Sequence, residues 1–274
     1  MTDMNRHRTF GTSFTRREAL LLGASGLAFV ALTTSAWAQA WERLEAARKI
    51  VGDAKPQTDG LVLELPLVSE DGSTVPLTVR AESPMTDDSY IQSIHLFATR
   101  NPSPEIAEFE FTPLAGIAQI ATRVRLNETQ TVIAVARTNK GVVLTASRDV
   151  RITTSGCFSR ADTYATSQEM QARVRLPEKA QAGKPAEVLT LINHPMETGL
   201  REGPDGKVLP QRIIETFETT IDGKPVLKAT LHRSLSANPY LRFYVAPKAS
   251  GEIAFKWTED TGRVAEQSTM LAVG

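Results

Sequence analysis

Short apolar runs separated by turn residues fill the chain beyond residue 60, and this pattern constrains the fold most narrowly. The runs are rich in Val, Ile, Thr and Phe, and they recur at the spacing typical of antiparallel sandwiches. Asp71-Gly72 and Asp222-Gly223 are among the turn signals between them. The pattern predicts an all-β fold with immunoglobulin-like β-sandwich structure. The predicted strands are 61–65, 75–80, 90–97, 106–111, 120–126, 131–137, 141–152, 172–176, 187–193, 212–221, 224–231, 240–246, 251–257 and 264–273.

A single amphipathic segment precedes the strands. Its apolar residues recur at helical intervals, with charged residues at most of the other positions. Gly52 and Asp53 follow the segment and predict its end. We therefore expect one short N-terminal helix. The apolar positions are Trp41, Leu44, Ala47, Ile50 and Val51.

The first 38 residues have the features of an export signal. Arg16 and Arg17 precede an apolar run at 19–32, and small residues follow at 35–40. The apolar run is too short to cross a bilayer, which needs about 20 residues. We predict a twin-arginine signal peptide at 1–38, cleaved near Ala38 or Ala40, and a soluble periplasmic protein exported by the twin-arginine pathway.

Charge excludes some classes of partner. The full chain has 31 basic and 31 acidic residues, and removal of the signal peptide leaves it close to neutral. A strongly basic balance is typical of proteins that bind nucleic acid or anionic membranes. We therefore expect neither nucleic acid nor membrane as a partner.

Cys157 is the single cysteine of the chain. In an oxidising compartment a lone cysteine is either a buried small residue or a thiol with a function. Cys157 lies in a polar stretch, residues 153–168, between the predicted strands 141–152 and 172–176. A core cysteine should lie inside an apolar periodic run, so its position favours a functional thiol in an interdomain linker.

Other chemistry-bearing residues show no catalytic pattern. The mature chain has three histidines, and no two of them have a metal-ligand spacing. No Gly-x-Ser-x-Gly elbow and no phosphate-binding glycine loop occurs. We expect structural roles for the histidines and for Met196, no metal, no cofactor and no enzymatic activity. The histidines are His95, His194 and His232.

Both halves of the chain contain distinctive strings. Those of the first half are Ser83-Pro84-Met85-Thr86, Ile94-His95-Leu96-Phe97, Asn101-Pro102-Ser103-Pro104-Glu105, Phe109-Glu110-Phe111-Thr112-Pro113 and Thr122-Arg123-Val124-Arg125-Leu126. Those of the second half are Ala172-Arg173-Val174-Arg175-Leu176-Pro177, Ile192-Asn193-His194-Pro195-Met196-Glu197-Thr198-Gly199 and Ser236-Ala237-Asn238-Pro239-Tyr240. With these strings the chain resembles the SoxYZ family of sulfur-compound carriers: the first half is similar to SoxY and the second to SoxZ, here in one chain.

The resemblance implies two immunoglobulin-like β-sandwich domains packed together. The first, at 41–157, bears the working cysteine and is followed by a linker at 158–170. The second, at 171–274, is its scaffold. The resemblance also implies that Cys157 holds thiosulfate-derived intermediates covalently and presents them to partner enzymes. Those partners are a c-type cytochrome that loads thiosulfate, a hydrolase that releases sulfate and a sulfane dehydrogenase.

The flanks of Cys157 differ from the glycine-rich tail Gly-Gly-Cys-Gly-Gly that ends SoxY. Gly156 is kept, whereas serine or phenylalanine replaces the other three glycines, and the second domain follows the segment. A tethered loop presents two strands to a partner, so the partner needs an open cleft. The replacing residues are Ser155, Phe158 and Ser159.

Arg151 and Arg160 flank the cysteine. They would favour the thiolate and attract anionic sulfur groups, or they are solvated charges beside a linker. Two further functions stay open. One is a SoxYZ-like interaction or carrier protein of a periplasmic quinoprotein dehydrogenase system without thiosulfate carriage, and the other is a scaffold that has lost carriage.

Overall fold

The computed structural model of the protein describes residues 40–154 and 168–274. The predicted signal peptide, residues 1–38, lies outside the described residues. Among those that are described, no helix combines the length and the apolar composition needed to cross a membrane.

The predicted N-terminal helix is confirmed in two pieces. A 3-10 turn spans Ala40–Arg43 and an α-helix, α1, spans Glu45–Val51. Gly52 ends the helix with φ 60°, and its N–H donates to the carbonyl oxygen of Arg48. Glycine adopts this left-handed conformation without a Cβ clash. The buried face of α1 packs in a small cluster with Phe97, Ile133, Val135 and Val143.

The remaining structure is almost entirely strand, in two series. The first series comprises β1 (Leu61–Glu64), β2 (Val68–Ser69), β3 (Val75–Ala81), β4 (Ile91–Ala98), β5 (Glu105–Phe111), a 3-10 turn (Pro113–Ala115), β6 (Ala118–Val124), β7 (Gln130–Thr138) and β8 (Val143–Ile152). The second series comprises β9 (Ala172–Arg175), β10 (Ala186–Ile192), β11 (Ile214–Ile221), β12 (Lys224–Leu231), β13 (Tyr240–Val245), β14 (Gly251–Glu259) and β15 (Val264–Leu271).

Two sheets are formed, and each contains strands from both series. The six-stranded sheet has the order β1-β3-β6-β13-β10-β9. The nine-stranded sheet has the order β15-β14-β11-β12-β5-β4-β7-β8-β2. The two halves of the chain therefore meet where β5 pairs with β12 and β6 with β13. We call this junction the seam.

The sheets enclose one apolar core that continues across the seam. Burial alternates along most strands, as in β14, because successive side chains point to opposite faces. Phe217 is fully buried, with ring centroids of Phe243 and Trp257 at 5.7 and 5.3 Å. Burial of one such aromatic side chain contributes about 1.5–3 kcal/mol.

The prediction of an all-β fold of sandwich type is confirmed, and each predicted run contains an observed strand. The structure adds β2, which pairs in parallel with the end of β8: Val68 lies opposite Arg151 and Ser69 opposite Ile152. Two residues are too few to show alternation, so the sequence pattern does not reveal this strand. Its position, next to the end of β8, matters for the site.

Candidate functional site

Backbone hydrogen bonds hold the residues that directly precede the segment with Cys157. The Thr153 N–H donates to the carbonyl oxygen of Ser69 at 3.1 Å, and the carbonyl oxygen of Thr154 accepts from the Gly72 N–H at 3.1 Å. The Ile152 N–H donates to Thr129 Oγ1 at 3.0 Å. We call Thr153 and Thr154 the N-terminal root. Because strand β2 and the turn after it hold this root, the chain leaves the sheet at a defined position.

The chain returns to the sandwich through Glu169 and Met170, which we call the C-terminal root. The Met170 N–H donates to the carbonyl oxygen of Asn193 at 2.8 Å. The carboxylate of Glu169, only 7% exposed, lies 2.8 Å from Arg263 and 3.0 Å from Arg212. Two guanidinium groups on one poorly solvated carboxylate make a charge-assisted anchor. The C-terminal root is thereby bound to the second half of the chain.

His194 lies in the charged network behind the C-terminal root. Its Nε2 is 2.8 Å from Glu259 Oε1, and its Nδ1 accepts from the Met196 N–H at 3.0 Å. This arrangement assigns the proton of the neutral ring to Nε2. Burial lowers the pKa of His194 despite the neighbouring carboxylate. Burial acts to raise the pKa of Glu259, but hydrogen bonds from Thr261 and His194 outweigh it and hold that pKa below its usual value.

Glu169, His194 and Glu259 have ligand atoms within 4.8 Å of one another, a geometry that a metal ion could use. Their donors are already engaged, however. Both ring nitrogens of His194 have partners, and Arg212 and Arg263 lie within 4 Å of both carboxylates. The guanidinium groups supply the positive charge that a metal would bring, so this donor set fits an ion-pair network. The sulfur of Met196 accepts from the Ile214 N–H at 3.2 Å, in agreement with a structural role.

A buried arginine crosses the seam beside this network. Arg125 is 7% exposed, and its guanidinium donates to the carbonyl oxygens of Met196 at 2.7 Å and Pro195 at 3.2 Å. Asn101 donates to the carbonyl oxygen of Arg125 at 2.8 Å and to Ser234 Oγ at 3.0 Å. The end of β6, the loop after β4 and the loop after β12 are thus held together at one end of the seam.

The segment 236–240 completes this arrangement. Ser236 donates from its hydroxyl to the carbonyl oxygen of Ser73 at 2.8 Å and from its N–H to that of Arg123 at 3.1 Å. Asn238 exchanges hydrogen bonds with His194 through its own N–H and its side-chain oxygen. Ser73 follows Gly72, which contacts the N-terminal root. Both roots therefore belong to one connected hydrogen-bonded region, which we call the root end of the seam.

The predicted site residues fall into two groups. Arg151 is described: its side chain is exposed, and its N–H donates to the carbonyl oxygen of Leu67 at 2.9 Å, two residues before the N-terminal root. The others lie outside the described residues, namely Cys157, Ser155, Gly156, Phe158, Ser159 and Arg160. What sequence reasoning missed is the role of Arg125. Its signal was a charged residue between two apolar ones, Val124 and Leu126, at the end of a strand.

The other two histidines lie elsewhere, at a cleft of about 430 Å³ under α1 that is lined also by Glu105 and Glu108. His95 Nε2 is 3.0 Å from Ser93 Oγ, and its Nδ1 is 3.8 Å from Glu108. Burial lowers the pKa of His95 to about 4 and also lowers that of His232. In the described part of the chain, neither residue belongs to a group of three potential metal ligands.

Comparison with sequence families identifies both halves. The family of sulfur oxidation protein SoxY matches residues 47–157, and that of sulphur oxidation protein SoxZ matches residues 174–270. The chain is a SoxY–SoxZ fusion. The SoxY match extends to Cys157 itself, and the seam is the pairing of the SoxY and SoxZ domains within one polypeptide. The two domains together support a role as a sulfur-oxidation carrier.

Solved structures show weaker likeness. The sulfur carrier protein SoxY from Chlorobium limicola f thiosulfatophilum is 24% identical, with 41% of this chain and 98% of that chain covered and a TM-score of 0.35. Superoxide reductase (neelaredoxin) from Ignicoccus hospitalis is 14% identical, with 35% and 81% covered and a TM-score of 0.32. No curated protein matches the chain. The family assignment therefore rests on the two sequence-family matches.

Proposed function

We propose that this SoxY–SoxZ fusion is a periplasmic carrier without catalytic activity of its own, which holds thiosulfate-derived intermediates covalently on Cys157. The observation that supports the proposal most is the root end of the seam, where the described residues on either side of the cysteine segment are bound. The SoxY domain binds Thr153 and Thr154, and the SoxZ domain binds Glu169 and Met170. A partner that binds at this end of the seam can therefore contact both domains.

The chemistry requires a thiolate and an external oxidant. The Cys157 thiolate and the terminal sulfur of thiosulfate form an S–S bond, and the two electrons released pass to a c-type cytochrome. Water then attacks the sulfonate sulfur in a partner hydrolase, which releases sulfate and two protons and leaves a persulfide on Cys157. A sulfane dehydrogenase then oxidises the outer persulfide sulfur to an S-sulfonate, which takes oxygen from three water molecules, releases six protons and passes six electrons to the dehydrogenase. Hydrolysis of the S-sulfonate releases a second sulfate and restores the Cys157 thiol. An unperturbed cysteine is a few per cent thiolate at neutral pH, which suffices when a partner supplies activation.

We also propose that the carrier does not catalyse the reactions of its bound sulfur. His194 is the histidine connected to the C-terminal root, and both its nitrogens are engaged by Glu259 and Met196. His95 and His232 line the separate cleft under α1. The proposal therefore assigns activation of the Cys157 thiol to a partner enzyme and not to one of these three histidines.

Incubation with thiosulfate and a thiosulfate-loading c-type cytochrome tests the proposal. Intact mass spectrometry should show one thiosulfate adduct on the wild type and none on Cys157→Ser. In the host, Cys157→Ser should abolish respiration that depends on sulfur compounds. An adduct on neither protein, with respiration unchanged in the variant, would contradict carriage. Recovery of the mature chain in the cytoplasmic fraction would contradict the periplasmic part of the proposal.

A second candidate is a carrier or interaction protein of a periplasmic quinoprotein dehydrogenase system. The sequence of the segment favours it: Ser155, Phe158 and Ser159 replace glycines of the SoxY tail, and the SoxZ domain tethers the segment. A tunnel shaped for a free glycine-rich tail would not admit this loop. Failure of a cytochrome from a two-subunit system to load Cys157, together with the absence of thiosulfate-derived adducts on protein from its own host, would favour this candidate.

A further inference from the structure

The outer face of the six-stranded sheet has an unusual concentration of arginine. Five arginines lie on this face, and they come from four of its strands, two in each domain. Four of the five are exposed. We call this surface the arginine face. Its arginines are Arg80, Arg123, Arg173, Arg175 and Arg242.

Strand register places these side chains on one surface. Arg242 of β13 lies opposite Ala121 of β6 and Leu189 of β10, and Leu189 lies opposite Arg175 of β9. Side chains of directly paired residues point to the same face of a sheet. The neighbouring rows add Arg123 beside Pro76, Arg173 beside Leu191 and Arg80 beside Gln119. The residues next to them along the strands, such as Val79, Val124 and Phe243, face the core.

The charge of this face is largely unbalanced. Glu64 and Glu187 are the acidic residues in the same rows, and the ion pair on the face joins Arg242 to Glu187 at 3.8 Å. Among the described residues, the other four arginines have no carboxylate within 4 Å. The outer face of the nine-stranded sheet differs, because cross-strand pairs such as Lys228–Glu110 at 3.5 Å and Lys256–Glu266 at 3.6 Å neutralise it.

Aromatic and aliphatic side chains lie between the arginines. Tyr240 and Tyr244 are partly exposed at the seam, as are Leu189 and Leu191 beside them. The Arg123 guanidinium stacks over the Tyr240 ring at 5.5 Å. Tyrosine and arginine around an apolar centre are typical of protein–protein interfaces.

The arginine face is continuous with the root end of the seam. The carbonyl oxygen of Arg123 accepts from the Ser236 N–H, and Ser236 contacts Ser73 beside the N-terminal root. Arg173 follows the C-terminal root by three residues and lies in the row of Arg123 and Tyr240. A protein that reaches the segment between the two roots can therefore also cover this face.

We propose that the arginine face is the surface on which a partner enzyme docks, through an acidic surface of its own, when it reaches Cys157. This inference rests on the proposed carrier function. It adds the location of the docking surface and the charge interaction that binds the partner. Electrostatic complementarity speeds encounter and selects among partners, and its effect falls as salt screens it. A sheet face with tyrosines and acidic residues among the arginines favours a protein over nucleic acid or lipid.

The test measures binding without chemistry. Cys157→Ser removes the thiol, and its affinity for a thiosulfate-loading c-type cytochrome is measured from about 20 to about 300 mM salt, a range over which screening grows strongly. In this background, Arg123→Glu, Arg173→Glu and Arg175→Glu together should weaken binding by at least about tenfold at low salt and remove most of the salt dependence. All three side chains are exposed, and unfolding curves show whether the variant is folded.

A matched control lies at the opposite end of the seam. Lys184, Lys224 and Lys248 are exposed and line a separate cleft, and their replacement by glutamate changes the net charge equally. This control should keep wild-type affinity. Equal losses in the two triple variants would overturn the proposal, as would unchanged affinity in the arginine variant, or binding of a DNA duplex or anionic vesicles but not of the cytochrome. Binding with no adduct on the wild type would instead contradict the carrier function alone.

Discussion

Arg125 of the SoxY domain donates a hydrogen bond of 2.7 Å to the carbonyl oxygen of Met196 in the SoxZ domain. This contact is buried, and it joins the first residue after β6 to the turn that follows β10. It adds a side-chain contact to the strand pairings β5–β12 and β6–β13, which make the two sheets continuous across the domains. The root end of the seam depends on it, because the turn at Met196 also holds His194 behind the C-terminal root.

Replacement of Arg125 by methionine should therefore destabilise the protein strongly. The variant leaves the carbonyl oxygens of Met196 and Pro195 without this donor, and a buried acceptor left unsatisfied costs about 1–3 kcal/mol. Urea unfolding measures the loss. Arg148→Met, at an exposed position of β8, should change the free energy of unfolding by less than about 0.5 kcal/mol. Equal effects of the two substitutions would contradict a special role for Arg125.

Glu169→Gln should loosen the C-terminal root while leaving the core intact. The amide removes the charge that faces Arg212 and Arg263, and the expected cost is about 1–3 kcal/mol because the carboxylate is 7% exposed. Hydrogen exchange of the Met170 amide should accelerate, since its bond to Asn193 depends on the anchored root. Glu187→Gln, where the carboxylate is 43% exposed, provides the control and should leave that amide unchanged.

His95 predicts a pH dependence of stability. Its pKa is lowered by burial to about 4, below its value in the unfolded chain. The unfolded state therefore binds more protons between these two values, and stability falls as pH drops from about 6.5 to about 4, by about 3 kcal/mol in total. His95→Gln should remove this part of the slope. Urea unfolding of both proteins at pH 7 and pH 4.5 measures it, and parallel slopes would contradict the assignment.

Gly116 predicts a tight contact at the far end of the seam from the roots. A Cβ atom there would lie 2.7 Å from the Ala246 side chain and 3.2 Å from Pro185, and the residue has φ 69°. Gly116→Ala should therefore cost about 1–3 kcal/mol through strain and a clash between the domains. Gly141→Ala is the matched control. Gly141 has φ 80°, but open space surrounds it, so alanine there costs only the backbone strain of a positive φ and causes no clash. Thermal unfolding distinguishes the two.

Most of the fold could be predicted from the sequence, because alternating burial and turn residues are local signals. β14, with buried and exposed residues in strict alternation, is recognisable without any partner. Neighbour choice is not local. The apolar pattern of β5 indicates that Phe111 faces a core. Nothing in that segment indicates that β5 pairs with β12 from the other domain. β2 was missed for the same reason, since its two residues are a strand only beside β8.

For the site, the resemblance and the polar surroundings indicated Cys157. The structure adds the contacts that hold the residues on either side of the cysteine segment. Thr153 and Thr154 read as ordinary polar linker residues, yet backbone bonds to Ser69 and Gly72 hold them. Arg125 was part of a family string without a role of its own. Such roles arise from contacts between residues far apart in the chain, which composition and periodicity do not encode.

Mass spectrometry of the protein purified from its own host during growth on thiosulfate tests most directly whether Cys157 carries sulfur. We expect adducts of thiosulfonate, sulfonate or sulfane type on Cys157 that a thiol reductant removes, with the remaining fraction readily alkylated. A uniformly unmodified Cys157 that resists alkylation in the folded protein would contradict sulfur carriage.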